Sequence, residues 1–373
     1  MGLRESTRLR ARRWLLFCVT VLALGPAAAQ PTVSGNRETA AVVLLYHHVD
    51  GTTPASTSVA PDLFEAHLAY LADQGYQVLP LGRIIEALRA RRPLPEKAVA
   101  ITFDDAYRSV YAEAAPRLEA RGWPYTIFVS TDYLDGDYGG YLTWAQLRAL
   151  TERGAEVGNH SRSHAHYVFR APTESPSAWA ARIRADVSWA RQRLADELGG
   201  AVLPALAYPY GEFSAEVEAL TADLDLVGLG QQSGPIGWNT PLTALPRFPM
   251  AGSFADLGSL AEKLRTRPLD PELLSPRSSI LAADAAAPAL RLAFDRPGAR
   301  LTELRCYVSG QAPATITWLD GAKRVAEIRA QAPLPAGRSK FNCTAPARDA
   351  AGVYYWYSHL WMKAPAPGRW YRD

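Results

Sequence analysis

The stretch Val99-Ala100-Ile101-Thr102-Phe103-Asp104-Asp105 is an apolar run that ends in two adjacent carboxylates. A short run of this kind, rich in β-branched and aromatic residues, is typical of a buried strand. The carboxyl ends of parallel strands form the ligand-binding edge of α/β folds, so Asp104 and Asp105 are candidate site residues. The question for the rest of the sequence is which neighbouring strands bring partners to them.

Similar apolar runs recur between residues 41 and 267, and the segments between them carry apolar residues at helical spacing. The runs are 42–46, 78–79, 99–103, 125–129, 156–158, 206–208, 226–228 and 245–248. Seven or eight strand–helix units require parallel strands, because each helix carries the chain back over the sheet. We therefore predict an α/β domain over residues 41–267 and favour a barrel over an open sheet.

The last hundred residues have a different pattern. Residues 268–278, rich in proline, are predicted to be a linker. Apolar residues then alternate with polar ones, which predicts a small antiparallel β-sandwich over residues 279–373. Cys306 and Cys343 lie in this region. In an oxidising compartment they are expected to form a disulfide, with two buried free thiols as the alternative. The C-terminal tyrosines and tryptophans either bind glycan or have a structural or docking role.

The N-terminal segment predicts export. Residues 1–29 combine a basic start, an apolar run of about ten residues and a small-residue cleavage site, which is typical of a signal peptide, and residues 30–40 are predicted to be a linker. A twin-arginine signal and an uncleaved membrane tether remain alternatives. This segment holds five arginines and one glutamate, so its removal takes the formal net charge from +3 to −1. A near-neutral protein is not expected to bind nucleic acid.

Polar clusters follow four of the predicted strands. They are residues 46–48, 104–105, 160–164 and 209–212. His160 and His164 have i, i+4 spacing, so on one helical turn both rings would face the same point. With one carboxylate they make three protein ligands and leave a coordination position open for water, as in catalytic zinc sites. The four clusters together therefore predict a metal-dependent hydrolase.

Two of these clusters carry a family resemblance. Thr102-Phe103-Asp104-Asp105 and His160-Ser161-Arg162-Ser163-His164 resemble the first two signature motifs of the metal-dependent polysaccharide deacetylases, carbohydrate esterase family four. The resemblance extends over roughly residues 41–250. It implies a distorted (β/α) barrel and removal of acetyl groups from N- or O-acetylated sugars.

The resemblance also implies residue roles. Asp104 would be the general base, and Asp105, His160 and His164 would be the ligands of a divalent metal. Zn²⁺ is the expected ion, with Co²⁺, Ni²⁺ and Fe²⁺ as alternatives. By analogy with the family, the backbone N–H of Tyr210 would hold the oxyanion.

The sequence departs from the family pattern at two points. The third motif normally opens with Arg, but here Ala207 precedes Tyr208-Pro209-Tyr210, where Pro209 and Tyr210 are expected beside the substrate. Arg247 is the candidate replacement. The late motif that carries the acid histidine is also missing. The segment 45–49 resembles the start of a circularly permuted branch that includes periplasmic poly-β-1,6-N-acetylglucosamine deacetylases. That match makes His47 the general acid, with His48 as the alternative.

These observations predict a hydrolase that removes N-acetyl groups from an exported or cell-envelope polysaccharide such as poly-N-acetylglucosamine. The protein is expected in the periplasm or secreted, with envelope or export-machinery contacts through its C-terminal domain. Peptidoglycan and O-acetylated glycans are alternative substrates. A glycan-binding protein whose barrel has lost activity is the alternative from a different class. The chain contains no Gly-x-Ser-x-Gly or His-Glu-x-x-His motif, so neither a serine hydrolase nor a zinc peptidase is supported.

Overall fold

The computed structural model describes residues 40–200, 202–366 and 369. The predicted signal peptide, most of the linker that follows it, and the aromatic residues Trp370 and Tyr371 lie outside this range. Among the described residues, no helix is long and apolar enough to span a bilayer.

The first part of the described chain alternates strands and helices, as predicted. Its strands are β1 (Ala40–Tyr46), β2 (His48–Val49), β3 (Ser58–Val59), β4 (Gln77–Val78), β5 (Ala98–Phe103), β6 (Thr126–Val129), β7 (Glu156–Asn159), β8 (Ala205–Ala207), β9 (Val227–Leu229), β10 (Ile236–Gly237) and β11 (Phe248–Pro249). Its helices are α1 (Pro61–Asp73), α2 (Leu81–Arg89), α3 (Ala115–Glu119), α4 (Thr131–Asp135), α5 (Trp144–Glu152), α6 (Pro176–Leu198), α7 (Ala215–Asp223) and α8 (Leu257–Leu264). A π-helical turn covers Val110–Ala114, and 3₁₀ turns cover Pro209–Gly211 and Gly252–Phe254.

Helix boundaries follow local chemistry. Pro61 and Pro176 occupy the first turns of α1 and α6, where a missing N–H leaves no hydrogen bond unmade. Thr143 and Gln146 form a reciprocal capping box at the start of α5. Gly199 ends α6 in the left-handed conformation, with φ of 68°.

The central sheet has the strand order β10-β1-β5-β6-β7-β8-β9. All neighbours from β1 to β9 pair in parallel, whereas β10 is antiparallel to β1. Leu245 bridges to β9, and three residues later Phe248 begins β11, which pairs with β1. The sheet therefore curls back towards its first strand, and the predicted distorted (β/α) barrel with parallel strands is confirmed.

Alternate residues of the central strands face two different cores. Leu44 and Ile101 pack with the helices on one side, whereas Val43 and Ala100 belong to a second buried cluster. Because both faces are covered, β1 and β5 are apolar along nearly their whole length. The carboxyl ends of these strands are consequently fixed by burial on both sides.

The second part of the described chain forms two further sheets. Its strands are β12 (Arg267–Pro268), β13 (Glu272–Ser275), β14 (Ile280–Leu281), β15 (Ala289–Ala293), β16 (Arg305–Val308), β17 (Thr315–Trp318), β18 (Val325–Arg329), β19 (Gly337–Pro346) and β20 (Tyr354–Lys363), with a 3₁₀ turn at Leu301–Glu303. One sheet has the order β12-β20-β19-β16 with β14 also on β20, and the other has the order β13-β15-β18-β17. Cys306 and Cys343 form a disulfide between β16 and β19.

The interpretation of residues 268–278 as a linker was wrong. Strand β13 lies inside this segment and pairs with β15, and Leu269 is fully buried in the sandwich core. The proline content suggested an extended connection, but Leu269 fills the sandwich core and Leu273 packs against it. The other sheet of the sandwich packs against the central domain, where Leu360 and Met362 of β20 join a cluster that includes Tyr208.

Candidate active site

The predicted site residues lie at the carboxyl ends of neighbouring strands. His47 follows β1, Asp104 and Asp105 follow β5, and His160 follows β7. The register places Tyr46 beside Phe103 and Asn159 beside Leu206, so these strand ends share one edge of the sheet. This edge therefore brings together residues that are more than one hundred positions apart in the sequence.

Asp105, His160 and His164 form the central cluster of this edge. The Oδ1 atom of Asp105 lies 3.2 Å from Nε2 of His160 and 3.3 Å from Nε2 of His164. One ligand atom from each of the three residues fits within a 4.8 Å span. Burial opposes ionisation of Asp105, but the two imidazoles outweigh it and hold the pKa of this carboxyl well below its usual range.

The backbone around the two histidines differs from the expectation. Residues 160–166 form an irregular loop, so the prediction of a helical turn was wrong. Ser161 and His164 have left-handed φ values of 78° and 54°. The Ser161 hydroxyl accepts a hydrogen bond from the His164 backbone N–H (2.7 Å), and the Asn159 side chain accepts one from the Ser161 N–H (2.7 Å). These bonds make a local turn that replaces the helix and brings both rings to one point.

The other nitrogen of His160 is fixed by the backbone. Nδ1 lies 2.7 Å from the carbonyl oxygen of Ala207 in β8 and therefore donates a hydrogen bond to it, while Nε2 faces Asp105. A carbonyl that orients a histidine in this way is typical of metal sites. The Ala207 position, where the family pattern has Arg, thus contributes its carbonyl group.

The neighbouring carboxylate, Asp104, is held by Arg247. Nη1 and Nη2 of Arg247 donate to Oδ1 and Oδ2 of Asp104, both at 2.7 Å, and both side chains are fully buried. Arg247 also donates from Nε to the Gly230 carbonyl (2.9 Å) and lies over the Phe128 ring. Burial raises the pKa of Asp104, but the guanidinium outweighs it and holds that pKa below its ordinary value.

The two N-terminal histidines have different surroundings. Burial lowers the pKa of His47 and outweighs the charges of Asp105 and Asp104, which act to raise it. The His48 ring stacks on Tyr107 with 3.6 Å between centroids. Both side chains are half-buried, and His48 belongs to the aromatic wall beside the site.

Tyr210 closes the opposite side of the site. It adopts a left-handed φ of 59° within the Pro209–Gly211 turn. Its ring lies 4.4 Å from that of His164 and stacks on His166 at 4.0 Å. His166 in turn lies with Nδ1 2.7 Å from the buried carboxylate of Glu212, so it supports Tyr210 and stands outside the three-residue cluster.

Two contributions to the site were missed in the sequence. Arg338 of β19 donates a hydrogen bond to the Tyr210 carbonyl and lies over its ring. Lys340, two residues later, donates to the Gln231 carbonyl at 2.6 Å. Arg338 and Lys340 are two positions apart in a strand, which indicates that they share one face of a sheet. Nothing in the local sequence indicated that this face meets the active-site loops.

A curled parallel sheet with this Asp-His-His cluster at its carboxyl edge is the arrangement that the sequence motifs implied. Residues 91–229 match the family described as "Polysaccharide deacetylase", and the chain contains a polysaccharide deacetylase domain.

Individual relatives agree with this assignment. Poly-beta-1,6-N-acetyl-D-glucosamine N-deacetylase of Escherichia coli (strain K12) is 30% identical over 148 residues, which cover 35% of this chain and 22% of that protein. The deacetylase PplD of Streptococcus pyogenes superposes with a TM-score of 0.54 at 22% identity, covering 61% of this chain and 99% of that one. IcaB of Ammonifex degensii superposes with a TM-score of 0.52 at 22% identity, and the match covers 61% of this chain and 97% of IcaB. These structures show that the fold is shared. This chain spans less than a quarter of the E. coli protein's length.

Proposed function

We propose that this protein is a metal-dependent hydrolase that removes N-acetyl groups from an exported polysaccharide of the poly-β-1,6-N-acetylglucosamine type. The observation that carries the proposal is the buried cluster of Asp105, His160 and His164, placed beside a second carboxylate that is locked by Arg247. The match to the E. coli N-deacetylase supports the choice of substrate class.

The three clustered residues fit a divalent cation. Oδ1 of Asp105 is buried and has no hydrogen-bond partner among the described residues, although two imidazole nitrogens lie within 3.3 Å. A buried carboxylate oxygen in this position is expected to have a ligand. Two nitrogens and one oxygen suit Zn²⁺ with an open coordination position. When bound, such an ion supplies Lewis acidity and lowers the pKa of water to about 7.

Asp104 is proposed as the general base. Each of its oxygens already accepts one hydrogen bond from Arg247, which fixes the plane of the carboxylate and keeps it ionised. Its Oδ2 atom lies 4.0 Å from Nε2 of His160, so it borders the metal cluster without belonging to it. A carboxylate in this position can take the proton of a water molecule that attacks the acetyl carbonyl carbon.

His47 and Tyr210 are proposed to complete the reaction. Attack by water gives a tetrahedral oxyanion, which the Tyr210 N–H would stabilise, with Pro209 in the same turn. When the carbon–nitrogen bond breaks, His47 donates a proton to the departing sugar nitrogen. The products are acetate and a sugar with a free amine, so atoms and charges balance.

The first experiment measures acetate release from β-1,6-linked N-acetylglucosamine oligomers, peptidoglycan and an O-acetylated glycan. We expect release from the β-1,6-linked oligomers by the metal-loaded protein and its loss after chelation. Asp104→Asn should abolish release while the metal content, measured by mass spectrometry, is retained. Asp105→Asn should lose the metal as well. No release from any substrate, or undiminished release after chelation, would contradict the proposal.

The location of the protein is part of the same proposal. The basic and apolar composition of residues 1–29 supports export to the periplasm or the medium, where acetylated polysaccharide is accessible. Contacts of the β-sandwich with the envelope or export machinery remain a prediction. Fractionation of cells that express the full chain tests the location directly, and recovery in the cytoplasm with an uncut N-terminus would contradict it.

A further inference from the structure

A second cavity lies away from the metal cluster, between the deacetylase domain and the β-sandwich. Its volume is about 620 Å³, within the range of small-ligand sites. Its walls come from the loop 232–246, from the connection 270–279 and from the middle of β20. No residue of the Asp-His-His cluster lines it, so its chemistry is independent of the active site.

One wall of the cavity is an open strand edge. On this side β20 pairs with β12 only at residues 355–356 and with β14 only at residues 362–363. The Trp356 carbonyl accepts from Leu269 N–H, and Met362 N–H donates to the Ser279 carbonyl. The backbone N–H and C=O groups of every second residue point to the same side of a strand. Those of Ser358 and Leu360 therefore point into the gap between the β12 and β14 pairings. Among the described residues no strand fills this gap, and buried backbone groups require a partner.

The opposite wall carries a carboxylate that lacks a cation. Glu218 accepts a hydrogen bond from Thr243 (2.8 Å), and no basic side chain among the described residues forms an ion pair with it. Burial raises the pKa of this carboxyl. Glu218, Asp270 and Tyr357 all line this cavity. Arg296 forms an ion pair with Asp270 at 2.9 Å, whereas the described part of the chain supplies no such partner for Glu218.

The remaining lining combines a neutral imidazole with aromatic rings. His359 lines the cavity with only 6% of its surface exposed, and its Nε2 atom has no hydrogen-bond partner among the described residues. Burial lowers the pKa of His359 to about 3, so the ring is neutral and can accept or donate a hydrogen bond. Trp356 and Phe294 add apolar ring surface. Two further acids, Glu272 and Asp295, outweigh Arg277 at the rim.

We propose that this cavity binds a glucosamine unit, a sugar whose nitrogen is a free, protonated amine. The amine would compensate the charge of Glu218, the hydroxyls would pair with His359 and the open edge of β20, and a ring face would lie on Trp356. Carboxylates, backbone groups and an aromatic face together match a charged polyhydroxylated ring. The choice of an amino sugar rests on the proposed function, whose product carries this amine.

The test is binding of a β-1,6-linked glucosamine trisaccharide to the full chain, measured by calorimetry and compared with the fully N-acetylated trisaccharide. We expect the amine form to bind and the acetylated form to bind at least tenfold more weakly at this cavity. Glu218→Gln should weaken binding of the amine form about tenfold, the loss expected for one charge-assisted hydrogen bond. Glu216→Gln, an exposed change on the same helix, is the matched control and should bind as the wild type does.

Two further variants separate this proposal from the proposed function. Asp105→Asn, which removes the metal cluster, should leave trisaccharide binding unchanged. Asp295→Lys, at an exposed position of the rim, should weaken binding without disturbing the core.

Wild-type affinity in both Glu218→Gln and Asp295→Lys would overturn the cavity proposal, as would equal affinity for the acetylated sugar. Acetate release without amine-sugar binding would also overturn it while leaving the deacetylase intact. Binding without acetate release would support the cavity and refute the deacetylase.

Discussion

Replacing Arg247 by Met gives the sharpest test of how the base is held. Arg247 donates two parallel hydrogen bonds of 2.7 Å to Asp104, and both side chains are fully buried. Methionine keeps an unbranched apolar side chain but removes the guanidinium, so Asp104 becomes a buried charge without compensation. Breaking a buried pair by removing one partner costs about 3–5 kcal/mol, and we expect the free energy of unfolding to fall by this amount.

The same change should move the pH dependence of activity. Arg247 holds the pKa of Asp104 below its ordinary value, so its contribution to stability is present above that ordinary pKa and is lost as pH falls through the lowered one. Without the guanidinium, burial dominates and the pKa of Asp104 rises. A protonated carboxyl cannot accept a proton from water, so the acid limb of acetate release should move to higher pH.

The measurements are urea unfolding at several pH values and acetate release by the metal-loaded enzyme across the same range. Arg247→Lys is the matched variant, because it keeps the charge but cannot form the two parallel bonds. It should lie between the wild type and Arg247→Met in stability. The double variant Asp104→Asn/Arg247→Met should recover part of the lost stability, since no buried charge remains. Wild-type stability and an unmoved acid limb in Arg247→Met would refute this account of the pair.

Three further predictions test other parts of the chain. His47→Ala should reduce kcat by on the order of 10²–10⁴-fold with the metal content unchanged, whereas His48→Ala should retain most turnover; the reverse order would make His48 the acid. Replacing Cys306 and Cys343 by Ser removes the cross-link that closes a loop of 37 residues, and it should lower the free energy of unfolding by about 3–4 kcal/mol. Equal free energies of unfolding for the variant and the oxidised wild type would contradict this prediction. Burial lowers the pKa of His359 from its ordinary 6.5 to about 3 in the folded protein, so the free energy of unfolding should fall as the pH drops from 6.5 to 3. In His359→Phe this fall should be smaller. An unchanged pH dependence of unfolding in the variant would show that His359 does not cause the fall.

The strands of the deacetylase domain were predictable because burial on both faces leaves a continuous apolar run. The predicted run 99–103 lies within β5, and 125–129 overlaps β6 closely. Parallel pairing also followed from the helices between the runs. The grouping of strand-end residues required no further information, because neighbouring parallel strands end at the same edge.

The parts that could not be predicted depend on contacts between distant segments. The spacing of His160 and His164 fits a helix, but the Ser161 hydroxyl and the Asn159 amide bind backbone groups of the loop and replace the helix there. The pairing of Glu272–Ser275 with β15 is likewise absent from the local composition, which is that of a linker. In each case a side chain or strand distant in sequence competes successfully with the local preference.

The backbone of the site also shows why local propensity gave no direct account of it. Asp105, Ser161, His164 and Tyr210 all have left-handed φ values, between 54° and 78°. Such conformations cost L-residues on the order of 1–3 kcal/mol each, and glycine would avoid the cost but would remove the side chains of Asp105 and His164, two of the three proposed metal ligands. The strain persists because the buried strands β5, β7 and β8 end only two to five residues before these positions. The buried sheet therefore stabilises four unfavourable backbone positions, and two of them carry side chains of the cluster formed by Asp105, His160 and His164.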